Sequence, residues 1–387
     1  MTLVQKEVKA VYLWTTKVRP AYKPRTFTIT RTEKSDMSSW WTYSDDAAWL
    51  TAGDGAFDDF FWYSAVLLNT SGVETAEMKQ SWWVFTGAMT TLGNITSGDN
   101  VMIKFPVRWI KMTKSWSTVT LSITEELNKD GYQYYAFQTW TLSNPWTAKD
   151  QFYLWAYKWY NNSSTLKSWS GQTPTANTSY TNFCTYAKNN WTWYNIAGYY
   201  QRMYIQALYM MKYGNPDGRA TVWYWVSSWS KLSTWGTNSQ TNATYWASWG
   251  GTQIKLFWLE DRYWNLKEII WWAYSIYSGG CKLYTQLSNW NWTLSWWEDT
   301  WTTLINKYWW NISWIAGTNK WMFAPTGAVS NSSYNTYYCW EVYVSQSTVW
   351  AVSWWAYNEW TNVRLFRTDF MYTTDYNVQI WARLMYL

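Results

Sequence analysis

YYQRMYIQALYMMKY, residues 199–213, sets the fold class. Tyr200, Met203, Tyr204, Ala207, Leu208 and Met211 recur at three- and four-residue spacing, the period of an amphipathic helix. Gly214 follows in the C′ position, where helices commonly end in the left-handed conformation. A shorter helix is predicted over Ser179 to Lys188. Upstream the period changes to two: Val101, Ile103 and Phe105, then Ile110 and Met112, then Val119, Leu121 and Ile123 alternate as strands do. Ser115-Trp116-Ser117 between them reads as a hairpin turn. After Gly214 the chain is rich in Ser, Thr, Asn and Trp with short apolar pieces, the pattern of long loops and short strands. The expected class is therefore α+β, mostly short antiparallel strands and long loops with two helices. Residues 1–59, with Pro20 and Pro24, read as an N-terminal arm for attachment or assembly rather than packed core. Residues 60–175 read as a β-rich lead-in and 176–387 as the main domain, with no internal repeat.

The chain's 387 residues suffice for a sizeable core. Lys and Arg number 31 against 25 Asp and Glu, but the basic residues form no run, so no nucleic-acid partner is expected. Met1 to Tyr12 lacks an apolar h-region and no uncharged stretch is long enough to span a bilayer, so neither a signal peptide nor membrane insertion is expected. Cys184, Cys281 and Cys339 lie too far apart in sequence for a disulfide framework or a CxxC metal motif. His is absent, which removes the commonest general base and metal ligand.

Tryptophan is the compositional anomaly, with 41 residues against 18 Gly. Many stand where turn chemistry asks for glycine: Asn190-Trp191-Thr192-Trp193, Trp223-Tyr224-Trp225, Trp229-Ser230 and Trp290-Asn291-Trp292. The pairs Trp309-Trp310 and Trp354-Trp355 would expose large apolar surface. The pattern predicts that most of these residues stand for glycine. Some bacterial lineages decode UGA as glycine, and a table that reads UGA as tryptophan writes W at each such codon. The alternative is a true aromatic-rich binding surface, as in sugar binders.

Several segments, in order, resemble a family of phage tail and surface proteins with a C-type-lectin-like domain related to the formylglycine-generating-enzyme superfamily. Ser97 to Pro106, SGDNVMIKFP, resembles the family's GDDVMIEFP strand, and Phe152 to Tyr157, FYLWAY, its FYLGAY strand. Tyr199 to Tyr213 is similar to its central helix. Lys255 to Asn265, KLFWLEDRYWN, resembles KLFGIEDFYGN with two Trp standing for Gly. Ser353-Trp354-Trp355-Ala356 resembles an SGGS or RGGS turn, and Ile380 to Leu384 the closing IGARL strand. The resemblance covers roughly residues 63–387 and implies a C-type-lectin-like fold. In relatives served by diversity-generating retroelements, the stretch between the last two motifs is the variable region, displayed as a ligand-binding face.

Here that stretch, Tyr357 to Asn377, is dense in Tyr, Asn, Thr and Asp. Tyr gives rigid contact area at low entropic cost and the others adaptable hydrogen bonds, as in a paratope. Tyr357, Asn358, Thr361, Asn362, Arg367, Asp369, Tyr372, Tyr376 and Asn377 are the expected ligand-binding residues, with Val363, Leu365 and Phe366 as anchors. An ordinary polar loop is the plainer alternative. The resemblance implies a receptor-binding or adhesion protein on a virion tail or cell surface, directed at a cell-surface protein or glycan, and a homotrimer as in tail fibres. A fixed structural virion or cell-surface protein without ligand is the second possibility.

An oxidase of the formylglycine-generating type is the third, and it would need a close cysteine pair for copper. The chain has no such pair: Cys339 is the only cysteine after Cys281. Glu260-Asp261 would suit acid–base or calcium chemistry but read better as ties between loops. Asn215-Pro216-Asp217 reads as a turn. No catalytic residue, metal or cofactor is expected.

Overall fold

The computed structural model describes residues 11–13, 16–18, 23–32, 41–77, 80–81, 84–85, 95–140, 145–146, 149–176, 178–191, 193–215, 221, 232–234, 236–240, 242–246, 253–261, 267–277, 281–285, 298–304, 308–315, 322–329, 341–344, 349–353, 368–371, 380–382 and 384–386.

Setting the shortest ladders aside, the first part runs β1 (Thr26–Thr32), β2 (Thr42–Asp45), α1 (Ala56–Phe61), β3 (Ser64–Leu68), β4 (Glu74–Glu77), β5 (Asn100–Pro106), β6 (Trp109–Ser115), β7 (Thr118–Thr124), β8 (Gln151–Trp155), α2 (Tyr180–Lys188), β9 (Tyr194–Ile196) and α3 (Tyr199–Tyr213). It continues with β10 (Lys255–Leu256), β11 (Leu259–Glu260), β12 (Lys267–Tyr277), β13 (Cys281–Thr285), β14 (Glu298–Leu304), β15 (Tyr308–Ile315), β16 (Pro325–Val329), β17 (Glu341–Val344), β18 (Val349–Ser353), β19 (Thr368–Met371), β20 (Ile380–Ala382) and β21 (Leu384–Tyr386). The class is mixed α+β. Among the described residues, pairing is antiparallel except at β17–β19 and β12–β20.

Three sheets carry the structure: β6-β7-β1-β2, then β9-β21-β8-β5-β3-β4, and a larger one ordered β14-β13-β12-β18-β19-β17-β15-β16 with β20 beside β12. The alternating residues of β5 to β7 place Val101, Ile103, Ile110, Met112, Leu121 and Ile123 in the core. The register Ser115↔Thr118 leaves Trp116-Ser117 as a two-residue hairpin loop. Ser179 caps α2 by accepting from the Asn182 N–H at 3.2 Å.

The segment expected to stand apart as an arm is core from Thr26 onward. β1 pairs with β7 along its whole length, Thr26↔Thr124 through Thr32↔Thr118, and Phe27, Ile29, Phe57, Phe60 and Phe61 are buried. Pro20 and Pro24 precede this strand rather than interrupt it, and the alternation of Phe27 and Ile29 with threonines was its signal. The helix α1 in the same segment makes three α-helices among the described residues rather than the two expected. β21, close to the C-terminus, pairs with both β8 and β9.

The periodicity of α3 predicts one apolar face, yet every one of its residues is buried. Its polar side chains therefore need partners inside the protein. Gln201 donates to the Ala136 carbonyl at 2.6 Å, the Tyr204 hydroxyl to the Pro106 carbonyl at 2.9 Å, and Lys212 Nζ to Asp58 Oδ1 at 2.6 Å. Gly214 closes the helix at φ 55°, its N–H bonded to the Met210 carbonyl.

Asp58→Ala leaves the Lys212 ammonium buried without its counter-charge and should cost about 3 kcal/mol in urea unfolding. Adding Lys212→Met removes the orphaned charge, so the double variant should recover a large part of that loss.

Candidate functional site

The predicted binding residues belong to two connections of the large sheet, whose end points are fixed by strand pairing. β18 and β19 are antiparallel neighbours with Ser353 opposite Thr368, so the segment 354–367 leaves and re-enters the sheet at adjacent positions. Glu268 of β12 lies opposite Ser353 on one side and Trp381 of β20 on the other. Thr368, Ser353, Glu268 and Trp381 thus form a row across four strands at one end of the sheet. The second segment, 372–379, rejoins the sheet at Ile380, opposite Lys267, beside the same row.

Tyr357, Asn358, Thr361, Asn362 and Arg367 fall in the first segment and Tyr372, Tyr376 and Asn377 in the second. These eight residues, and the anchors Val363, Leu365 and Phe366, lie outside the described residues. Asp369 lies on β19 itself, opposite Val352 of β18 and Tyr343 of β17. It is a strand residue in the interior of the sheet, where the sequence suggested a loop position.

The hairpin β10–β11 leads into β12 and is locked by a buried polar cluster. Glu260 Oε2 accepts from the Thr237 N–H at 3.0 Å and its hydroxyl at 2.7 Å, and Glu260 Oε1 accepts from Gln253 Nε2 at 3.2 Å. The same Gln253 nitrogen reaches Asp261 Oδ2 at 2.6 Å, while Gln253 Oε1 accepts from the Gly236 N–H at 2.8 Å. Lys255 Nζ donates to the Gln240 carbonyl at 2.7 Å, and Lys255 and Tyr245 exchange backbone bonds of 2.9 Å. Backbone bonds from Glu260 to Ala156 and from Trp258 to Ala243 complete the lock. The two carboxylates therefore tie residues 236–246 to the hairpin, the role read from Glu260-Asp261. Gln253, Thr237 and Lys255 were not singled out. Lys255 opposite Glu260 across a two-residue loop was the signal that would have found one of them.

Burial lowers the Lys255 ammonium to about 7, with Glu260 opposing the shift. Cys184 is fully buried and burial pushes its thiol well above the ordinary value, the environment of an inert packing residue. Cys281 lies on β13 opposite Tyr277 and Leu304, and Cys339 is outside the described residues. Among the described residues no group of three His, Cys, Asp or Glu side chains is placed to hold a metal ion. Asn215 is buried; Pro216 and Asp217 are not described.

No helix among the described residues is long and apolar enough to cross a membrane. No protein-family model and no curated protein matches the chain.

Because the folded state holds Lys255 at about 7 and the unfolded chain near 10.5, the unfolded state binds more protons between those values. Stability should therefore rise with pH across that window, with Lys188, lowered by burial to about 8, contributing in the same direction. Lys255→Met should be more stable than the parent at pH 7, and its pH profile should be flatter, as measured by urea unfolding across the window.

Proposed function

We propose that the chain is a non-enzymatic binding protein of C-type-lectin-like fold. It displays a diversifiable C-terminal surface that grips a cell-surface protein or glycan, at a phage tail tip or on a cell. The observation that carries this is the shared anchoring of the two Tyr-, Asn- and Thr-rich segments: three of their four end points meet at one end of the large sheet, through Ser353↔Thr368 and Lys267↔Ile380. A row of paired strands gives such segments fixed ends, and loops on a rigid scaffold tolerate sequence change that the scaffold does not. Tyrosine beside Asn, Thr and Asp is a composition suited to recognition without a dedicated pocket. The resemblance in the strands, the central helix and KLFWLED supports the fold, and trimeric assembly follows the family's tail fibres.

The test uses the whole chain, fluorescently labelled, on intact bacterial cells and on an array of bacterial surface glycans. The triple variant Tyr357→Ala, Tyr372→Ala, Tyr376→Ala should weaken binding at least about tenfold, the loss expected from removing aromatic anchors. Thr42→Ala with Thr113→Ala, on the four-stranded sheet, should leave it unchanged. Equal binding by the triple variant, or no binding by the unaltered chain, would contradict the proposal and favour a fixed structural component.

A further inference from the structure

Three tryptophans occupy backbone conformations suited to glycine, each for a separate local reason. Trp62 is the C-cap of α1, at φ 57° and ψ 34°, and its N–H bonds to the Asp58 carbonyl at 2.9 Å; glycine is the residue favoured where a helix ends left-handed. Trp116 opens the two-residue loop between Ser115 and Thr118 at φ 56°, the position that type II′ hairpins reserve for glycine. Its side chain is 94% exposed and makes no core contribution. Phe257-Trp258 joins Leu256 to Leu259 with φ 51° and 64°, positive at both central residues as in a type I′ turn, but there the Trp258 ring is fully buried with Lys255 Nζ 4.3 Å from its centroid, so this tryptophan is part of the packing. In a bulky side chain a positive φ is a steric outlier, because Cβ crowds the following carbonyl.

The indoles give a second line of observation. Trp41, Trp109 and Trp159 bury their N–H groups with no acceptor among the described residues, whereas a buried tryptophan ordinarily finds one. Trp169 behaves differently. Its N–H donates to the Asp99 carbonyl at 3.2 Å and its ring packs near Tyr160 and Lys167.

The structure assigns glycine to positions 62 and 116 of the protein as its own ribosomes make it, and tryptophan to position 169. Two codons are then written with one letter. UGG gives the tryptophan of position 169, and UGA, one base from the glycine codon GGA, is read by a glycyl-tRNA with the matching anticodon. The protein is consequently made in full and in its native composition only where that tRNA is present. This assignment stands on backbone geometry and does not depend on the binding role proposed above.

Peptide mass spectrometry of the protein from its natural source tests it directly. Tryptic peptide 115–129 should be lighter by one tryptophan-to-glycine difference, and peptide 168–188 should carry intact tryptophan. Tryptophan at 116, or glycine at 169, would overturn the assignment. A recombinant pair supplies the independent check. The chain with Trp62→Gly and Trp116→Gly should melt at a higher temperature than the chain as written, and Trp169→Gly at a lower one. Trp116→Ala keeps Cβ in the left-handed conformation and should show no such gain. A double glycine chain that melts lower would count against the assignment.

Discussion

Complete burial of the helix Tyr199–Tyr213 is the constraint from which the rest of the arrangement follows. A helix buried all round must satisfy its polar side chains with protein partners rather than water. Lys212 calls for the carboxylate of Asp58, Gln201 for the Ala136 carbonyl, Tyr204 for the Pro106 carbonyl, and the helix end receives the Tyr43 hydroxyl at the Lys212 carbonyl. These partners come from separate stretches of the chain, so the N-terminal sheet, α1 and the turn around Ala136 must all close on the helix. Phe57, Phe60 and Phe61 of α1 then fill the space beside it, with Arg25 and Arg108 over the Phe60 ring at 5.2 and 5.7 Å and paired with Glu125.

The C-terminus joins this core to the candidate face. Ile380–Ala382 belongs to the large sheet and Leu384–Tyr386 to the six-stranded one, so a single intervening residue, Arg383, carries the chain between them. Tyr386 packs against Tyr153 and Tyr194 at 5.8 and 5.0 Å. Close against it lies Gly72, at φ +78°, where a Cβ would come within 2.0 Å of the Tyr386 ring. The second segment proposed to recognise a ligand is therefore followed by a strand, β20, that lies one residue from the packed β21. Such a flank lets sequence vary beside it without loss of the fold, and the buried Glu260–Gln253–Thr237 cluster fixes the entry to β12 in the same way.

What was legible in the sequence was what local chemistry encodes. The alternation of β5 to β7, the Ser179 cap and the Gly214 terminus each depend on residues within a few positions of one another, and the structure places those elements where the pattern did. The burial of Gln201 and Lys212 was not legible, because their partners lie 65 and 154 positions away. The same holds for β1, whose ladder partner is β7, about ninety positions on, and whose Pro-marked approach suggested an arm. At the candidate site the sequence singled out residues by composition and by neighbouring motifs. That three of the four ends of these segments lie at one end of the sheet emerges only from the pairing of β12, β18, β19 and β20, since register between distant strands leaves no trace in either segment alone.

The most direct test of the display account is hydrogen–deuterium exchange of the whole chain with and without bound bacterial cell envelopes. The account predicts that added protection concentrates in peptides covering residues 354–367 and 372–379, with the β1–β7 face unchanged. Protection centred on the four-stranded sheet, or none anywhere, would contradict it.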